Sequence, residues 1–342
     1  MHEALHFTRV DKRTVECRLC PHRCRIVPGK RGICGVRENQ DGTLVSLVYG
    51  KLAASHVDPV EKKPLFHFLP GTLTYSIATV GCNLACPFCQ NHELSFAMRS
   101  RSIPYGYDAS AEEVVAEAVA SGCESLTFTY SEPTIFFEYM IDIAALAREK
   151  GLLTTVVSNG FIESEPRNEL AGLIDAANID LKAFQEKTYR SVLKGKLEPV
   201  LETISSLVAR GIWTEVTTLV VPEMNDSADE LKQIASFIAS VSLDVPWHVS
   251  RFFPHNQWTQ GAPTSDESLR RAVDAGSKVG LRYVYAGNVP GDLSESTFCP
   301  GCGKKVIERF GFNVSRMNLG PDGRCPSCST LVAGVFKAGN DR

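Results

Sequence analysis

The sequence predicts an α/β fold whose body is a partial (β/α)6 TIM-type barrel over residues 74–290. A Cys-rich metal-binding segment and hairpin arm (1–73) precede it, and a zinc-ribbon-like tail (291–342) follows. Three observations carry this reading. From Thr74 onward, short apolar strands alternate with amphipathic helices at the pitch of parallel βα units. The twelve cysteines divide as four (17–34), three (82–89) and four (299–328), with Cys123 left over. The apolar strands end repeatedly in polar residues, as they do where barrels gather their chemistry.

With 36 Lys and Arg against 39 Asp and Glu, the chain lacks the basic excess of a surface built for phosphate, so nucleic acid is not an expected partner. No apolar run reaches membrane length, and Met1-His2-Glu3-Ala4 opens without an apolar leader. The expectation is a cytoplasmic protein with no membrane partner. In a reducing cytosol its cysteines ligate metal and do not form disulfides. Cys123, at a helix end, reads as a small apolar packing residue.

The first segment carries Cys17-x2-Cys20-x3-Cys24-x9-Cys34 among turn formers. So little apolar sequence gains its order from a bound group, whose binding free energy becomes folding free energy. Zinc and a second iron–sulfur cluster both suit the spacing. His22 reads as a solvent-facing turn residue. Thr43–Leu52 reads as a hairpin and Ala53–Gly71 as an extended arm, since Asp58-Pro59 and Lys63-Pro64 disfavour helix. Within the arm, Glu61-Lys62-Lys63 reads as a solvated face and His67 as a packing residue.

Barrel strands are expected at 74–80, 125–129, 153–158, 177–181, 213–221, 246–252 and 281–285. Helices are expected at 111–121, 134–149, 167–174, 197–210, 227–240 and 265–279, the first capped by Ser110 with Glu113 three residues on. The strand ends supply Tyr130-Ser131-Glu132, Ser158-Asn159-Gly160, Asp180-Leu181-Lys182, Thr217-Thr218 and His248-Val249-Ser250-Arg251. Five polar ends at one rim imply a polar ligand. Taken singly, Asp180 and Lys182 also read as a rim ion pair, and Asn159-Gly160 as a turn.

After the first strand, Gly81 turns the chain into Cys82-Asn83-Leu84-Ala85-Cys86-Pro87-Phe88-Cys89. Three thiolates hold three irons of a [4Fe–4S] cubane, and cluster proteins normally supply four, so one iron stays open. An open iron on a low-potential cluster passes an electron to whatever chelates it. With S-adenosylmethionine bound through its amino and carboxylate groups, that electron cleaves a sulfur–carbon bond and releases an adenosyl radical. The alternative is a closed zinc site with a fourth ligand such as His92. Tyr130, His92 and Arg251 are the candidates for acid–base work. In the tail, Cys299-x2-Cys302 and Cys325-x2-Cys328 flank one strand-like stretch (306–318) and read as a zinc ribbon, with another iron–sulfur site as the alternative. The expected cofactors are therefore the [4Fe–4S] cluster, S-adenosylmethionine and one or two zinc ions.

Residues 74–255 resemble radical S-adenosylmethionine enzymes of the pyruvate formate-lyase activating type. The whole chain is similar to the radical enzyme of the AmmeMemoRadiSam system. The motifs that carry this are Cys17-Arg18-Leu19-Cys20-Pro21-His22-Arg23-Cys24, Gly32-Ile33-Cys34-Gly35-Val36-Arg37, Asp58-Pro59-Val60-Glu61-Lys62-Lys63-Pro64-Leu65-Phe66-His67 and Tyr130-Ser131-Glu132-Pro133-Thr134. The resemblance implies that Glu132 holds the methionine amino group, with Ser158 and Asn159 on the neighbouring strand end. It implies that Asp180 and Lys182 contact the ribose and the methionine carboxylate, and that His248 lies near the cofactor. Such pairings of ammonium with carboxylate are charge-assisted and strong. It further implies an electron donor such as flavodoxin or ferredoxin, and Memo-like and AMMECR1-like partner proteins. Three positions depart from the activases. Tyr130 and Ser131 replace the glycines of Gly-Gly-Glu, Val157 replaces an acid, and Gln90-Asn91-His92-Glu93 replaces Asn-Pro-Glu. Glycyl-radical activation is thus an inherited label only. A reading of another class keeps every cysteine structural, in a zinc-stapled module that binds protein or nucleic acid.

Overall fold

The barrel sheet has eight strands: β1 (Ala54–Pro59), β2 (Leu73–Ala78), β3 (Ser125–Phe128), β4 (Leu153–Ser158), β5 (Ala176–Asp180), β6 (Trp213–Val220), β7 (Trp247–Arg251) and β8 (Val284–Gly287). They lie side by side in chain order, from β1 at one edge to β8 at the other. The computed structural model describes residues 2–100, 103–287, 295–320 and 322–336. The expected domain boundary at residue 290 lies outside the described residues. Strands β2 to β8 are parallel, and β1 runs antiparallel along β2. Among the described residues β1 and β8 do not pair, so the sheet stays open.

Six helices make the crossovers: α1 (Ala111–Ala120), α2 (Phe137–Glu149), α3 (Ser164–Ala171), α4 (Glu198–Ala209), α5 (Ala228–Val241) and α6 (Asp266–Lys278). Ser110 caps α1 through a reciprocal box, Glu113 N–H donating to Ser110 Oγ at 3.2 Å and Ser110 N–H to Glu113 Oε2 at 2.7 Å. Ser227 and Ser265 cap α5 and α6 in the same way on one side. α3 begins three residues before its expected start because Pro166 sits in its first turn, where a missing N–H costs nothing. The first turn of the helix expected at 134 is a tighter 3-10 turn, Pro133–Phe136. β8 begins three residues later than expected. No helix among the described residues is long and apolar enough to cross a membrane.

The pleat sorts the side chains. Leu126, Phe128, Val156, Ala177, Ile179, Val216 and Val249 are buried in the large apolar cluster. The alternate set, including Thr129, Asn178, Asp180, Thr217, His248 and Tyr285, lines one cavity. Lower on the same face Thr74, Thr127 and Thr155 are linked by hydroxyl contacts of 2.6 and 2.7 Å.

Three expectations for the flanking segments are corrected. The hairpin is not Thr43–Leu52. Arg37–Gln40 pairs with Thr43–Ser46 around Asp41-Gly42, both in the left-handed region at φ +54° and +96°. Asp-Gly is the sequence such a two-residue turn demands. Residues 54–59 of the arm are not a free extension, because they form edge strand β1. Glu61-Lys62-Lys63 is not a solvated face: Glu61 and Lys63 are buried. Lys63 Nζ donates to Asp58 Oδ2 at 2.6 Å, and Glu61 Oε1 lies 3.5 Å from Arg309 Nε. Arg309 comes from the far end of the chain and Asp58 from the neighbouring edge strand, so the tripeptide alone could not reveal them.

Beyond β1 the arm crosses under the sheet. Leu65, Phe68 and Leu69 pack with Leu153, Ala176 and Trp213, which begin β4, β5 and β6, and so plug the floor of the barrel. His67 packs there as expected. Its Nδ1 bonds Ala333 O at 2.6 Å and its Nε2 bonds Tyr285 Oη at 2.5 Å, while burial pushes its pKa down to about 4. The tail's single strand-like stretch is instead two strands. β9 (Thr297–Phe298), β10 (Lys305–Phe310) and β11 (Asn313–Met317) form a small sheet that docks on the arm.

Candidate active site

Gly81 has φ +105°, and a Cβ on it would stand 2.8 Å from Val36 Cγ1 and 3.0 Å from the Cys34 carbonyl. Only glycine fits both the conformation and the space, so the chain leaves β2 in a turn that carries loop 82–89 over the barrel mouth. Backbone bonds pin that loop. Gly81 N–H donates to Leu94 O at 2.9 Å, Ala85 N–H to Leu193 O at 2.8 Å and Gln257 N–H to Pro87 O at 3.0 Å. His22, expected in solvent, is half-buried, with Nε2 on the Asn83 carbonyl at 2.7 Å.

Cys82, Cys86 and Cys89 line a cavity of about 880 Å³ at the carboxyl end of the strands. Burial first, then the Glu132 charge, holds the Cys82 thiol well above its ordinary value, and burial pushes Cys86 up to about 11. Raised in this way, the Cys82 and Cys86 thiols hold their protons until a ligated metal displaces them. Two contacts point at Cys82 Sγ, from Leu84 N–H at 3.4 Å and Asn159 Nδ2 at 3.8 Å. Among the described residues no other cysteine lines this cavity, and neither does His92. The donor set therefore fits a three-cysteine cluster with one iron left open. It does not make the four-ligand zinc site that His92 would close.

The walls carry the expected polar residues. Glu132 is buried as the N-cap of the 3-10 turn, and it accepts from Thr134 N–H at 3.0 Å, Thr134 Oγ1 at 2.7 Å, Ser158 Oγ at 2.7 Å and Asn159 N–H at 2.9 Å. Burial outweighs these donors and keeps its carboxyl above the ordinary range. Such a group gains from a cation placed against it. Opposite, Lys182 Nζ donates to Asp180 Oδ2 at 2.8 Å. Burial opposes the Lys182 charge, but Asp180 and Cys86 outweigh it and raise its pKa. The two residues form the rim ion pair that the sequence suggested, and both line the cavity.

His248 bonds Glu215 Oε2 at 2.6 Å through Nε2. Glu215 also accepts from Phe66 N–H, His67 N–H and Trp213 Nε1 at 3.0, 2.8 and 2.9 Å. Burial would raise its carboxyl, yet these donors, His248 foremost, hold it below the ordinary range. It ties the arm to the cavity wall. Sequence reasoning missed Glu215, although its signal was legible as the one charged residue of its strand. Lys63 and Asp58 were missed as well. Tyr130, at φ +62°, donates its hydroxyl to Asp58, and Lys63 Nζ stands 4.4 Å from the Tyr130 ring centroid. Burial brings Lys63 down to about 8.

Of the three acid–base candidates, Tyr130 lines the cavity, whereas His92 and Arg251 do not. Arg251 pairs with Asp266, and the His92 ring stands 5.1 Å from that of His255. Ser158 reaches the site only through Glu132.

The four tail cysteines are grouped differently. Cys299, Cys302, Cys325 and Cys328 have sulfurs all within 4.8 Å of one another. A tetrahedral zinc with bonds of about 2.3 Å needs sulfurs roughly 3.8 Å apart, so this set can hold one metal ion. The ribbon's hairpin turn brings Phe310, Gly311 and Phe312 to the rim of the cavity.

A partial barrel with a three-cysteine loop at its catalytic rim defines an α/β metalloenzyme. The family model "Radical SAM superfamily" matches residues 76–238. An uncharacterized protein of Methanocaldococcus jannaschii is 42% identical over 334 residues, 97% of this chain and 99% of the relative. The pyruvate formate-lyase-activating enzyme of Clostridium pasteurianum is 23% identical over 171 residues, 47% of this chain and 67% of that enzyme. The crystal structure of Streptococcus suis SuiB bound to S-adenosylmethionine matches with TM-score 0.51 at 16% identity, over 67% of this chain and 53% of that one. This last likeness is one of fold. The chain belongs to the radical SAM superfamily and is an enzyme.

Proposed function

We propose that this enzyme cleaves S-adenosylmethionine reductively and uses the resulting radical to take a hydrogen atom from a protein or peptide. Cys82, Cys86 and Cys89 would hold the [4Fe–4S] cluster, which when bound supplies the electron for the cleavage to methionine and a 5′-deoxyadenosyl radical. Glu132 pairs the methionine ammonium, and Lys182 the methionine carboxylate. Asp180 and Asn159 bind the ribose side. His248, fixed by Glu215, holds the far wall, and Ser158 fixes Glu132. The observation that carries this reading is that three thiols and the Glu132, Asp180 and Lys182 side chains share one cavity.

A macromolecular substrate is supported by the mouth of that cavity, where Phe253, Phe310 and Phe312 are exposed. Apolar surface at a rim invites a partner that covers it. The electron comes from a donor of the flavodoxin or ferredoxin class. Memo-like and AMMECR1-like proteins belong to this reading as partners, and zinc as the ribbon's ion. Activation of a glycyl radical enzyme is the second reading, favoured by the likeness to the Clostridium pasteurianum activase.

Anaerobic reconstitution tests the proposal. A [4Fe–4S] electron paramagnetic resonance signal that changes on adding S-adenosylmethionine, with release of 5′-deoxyadenosine, is the expected result. An iron signal indifferent to S-adenosylmethionine overturns it.

A further inference from the structure

The first four cysteines suit either group by sequence spacing, but the distance between their sulfurs separates the two. The fold brings the four together: Cys17 N–H donates to Cys24 O at 3.0 Å, and Cys17, Cys20, Cys24 and Cys34 pack in or against the same apolar cluster. Yet among the described residues only the tail set has three or more ligand atoms within 4.8 Å of one another. A single tetrahedral zinc requires sulfurs roughly 3.8 Å apart. The tail cysteines meet that, with Cys299 to Cys328 at 3.5 Å and Cys302 to Cys325 at 3.7 Å, and the first four do not. In a cubane each cysteine holds a different iron, so the thiolates stand wider.

The chain supplies its own comparison. Cys82, Cys86 and Cys89 are also absent from the close-packed grouping, although they converge on one cavity. The two sets share a second feature. Ile33 N–H donates to Cys24 Sγ at 3.4 Å, as Leu84 N–H does to Cys82 Sγ at 3.4 Å. Hydrogen bonds to ligating sulfur set the potential of an iron–sulfur cluster. The segment also abuts the active-site loop, through the His22 contact to Asn83 and the Cys34 carbonyl beside Gly81.

We propose that Cys17, Cys20, Cys24 and Cys34 hold a second [4Fe–4S] cluster, not zinc, seated against the loop of the active-site cysteines. The inference is independent of the radical reaction, because metal content reads it directly.

The full chain is reconstituted anaerobically, and its iron, acid-labile sulfide and zinc are counted. The expected wild-type content is about eight irons, eight sulfides and one zinc. The triple variant Cys82→Ala/Cys86→Ala/Cys89→Ala should keep about four irons and a Mössbauer spectrum of a [4Fe–4S] cluster. Adding Cys20→Ser and Cys34→Ser should remove that iron and leave the ribbon's zinc, which reports that the fold persists. A triple variant with two zinc ions and no iron overturns the proposal, as does one with no metal beyond the ribbon. Should the triple variant not fold, the wild type decides alone, since about four irons with two zinc ions refute the assignment.

Discussion

Arg309 of the ribbon sits 3.5 Å from Glu61 of the arm, Nε to Oε1, and both side chains are wholly buried. The same guanidinium donates to Thr297 Oγ1 at 2.8 Å and lies 4.5 Å over the Phe66 ring. Removing one member of a buried pair costs about 3–5 kcal/mol. Burial already holds the Glu61 carboxyl above its ordinary range, Arg309 notwithstanding, and removing Arg309 raises it further. Arg309→Met should therefore cost about 3 kcal/mol in a denaturant titration, the lower end of that range. Arg309→Met/Glu61→Gln should recover much of the loss.

Glu132→Gln tests the proposed pairing of this carboxylate with the methionine ammonium. A hydrogen bond to a charged group contributes about 1.5–3 kcal/mol, so S-adenosylmethionine should bind roughly ten- to hundredfold more weakly. Iron content should be unchanged. Equilibrium binding to the reconstituted protein reads the difference, and equal affinity would remove Glu132 from the site.

Lys63 gives the cavity a titration in the working range. With its pKa at about 8, it is charged below that pH and neutral above it. If the cationic form holds an anionic group of the substrate complex, 5′-deoxyadenosine release falls as pH rises through 8. Lys63→Met should start lower and show no inflection there. A profile that keeps the inflection assigns it to another group.

His67 gives stability a pH dependence. Its folded pKa of about 4 lies below the ordinary 6.5, so between them the unfolded chain takes up a proton that the folded chain refuses. Its contribution is complete above pH 6.5 and is lost as pH falls through 4, by up to about 3 kcal/mol. His67→Gln should be less stable than the wild type at pH 7 and should lose less on acidification, read from unfolding midpoints at both pH values.

Gly81→Ala should strip iron from the chain. The added methyl group would meet Val36 and the Cys34 carbonyl at a φ of +105°, so the turn into loop 82–89 cannot form unchanged. Absorbance of the reconstituted variant near the iron–sulfur bands measures the loss.

Much of this site was legible in sequence because its residues fall where periodic signals end. Cys82, Glu132, Asn159, Asp180 and Lys182 each lie at or just past the end of a strand, and His248, near the start of β7, joins them in one cavity. What was not legible depends on long-range partners. Lys63 reads as solvated until Asp58 and Tyr130 enclose it, and Glu61 until Arg309 does. His92 and Arg251 sit beside the right motifs but do not line the cavity, since sequence proximity does not tell which way a loop or strand end faces. Asp41-Gly42 is a different kind of miss, because its local turn signal was sufficient.

The barrel floor is finished late. Leu69 N–H donates to Val335 O at 2.7 Å and Val335 N–H to His67 O at 2.7 Å, so the plug is clasped by residues that leave the ribosome after every barrel strand. A nascent polypeptide can have all its cysteines for the reactive centre and still have an unsealed base. Truncated or stalled translation products should thus be cut by proteases at a floor that the full-length chain keeps closed.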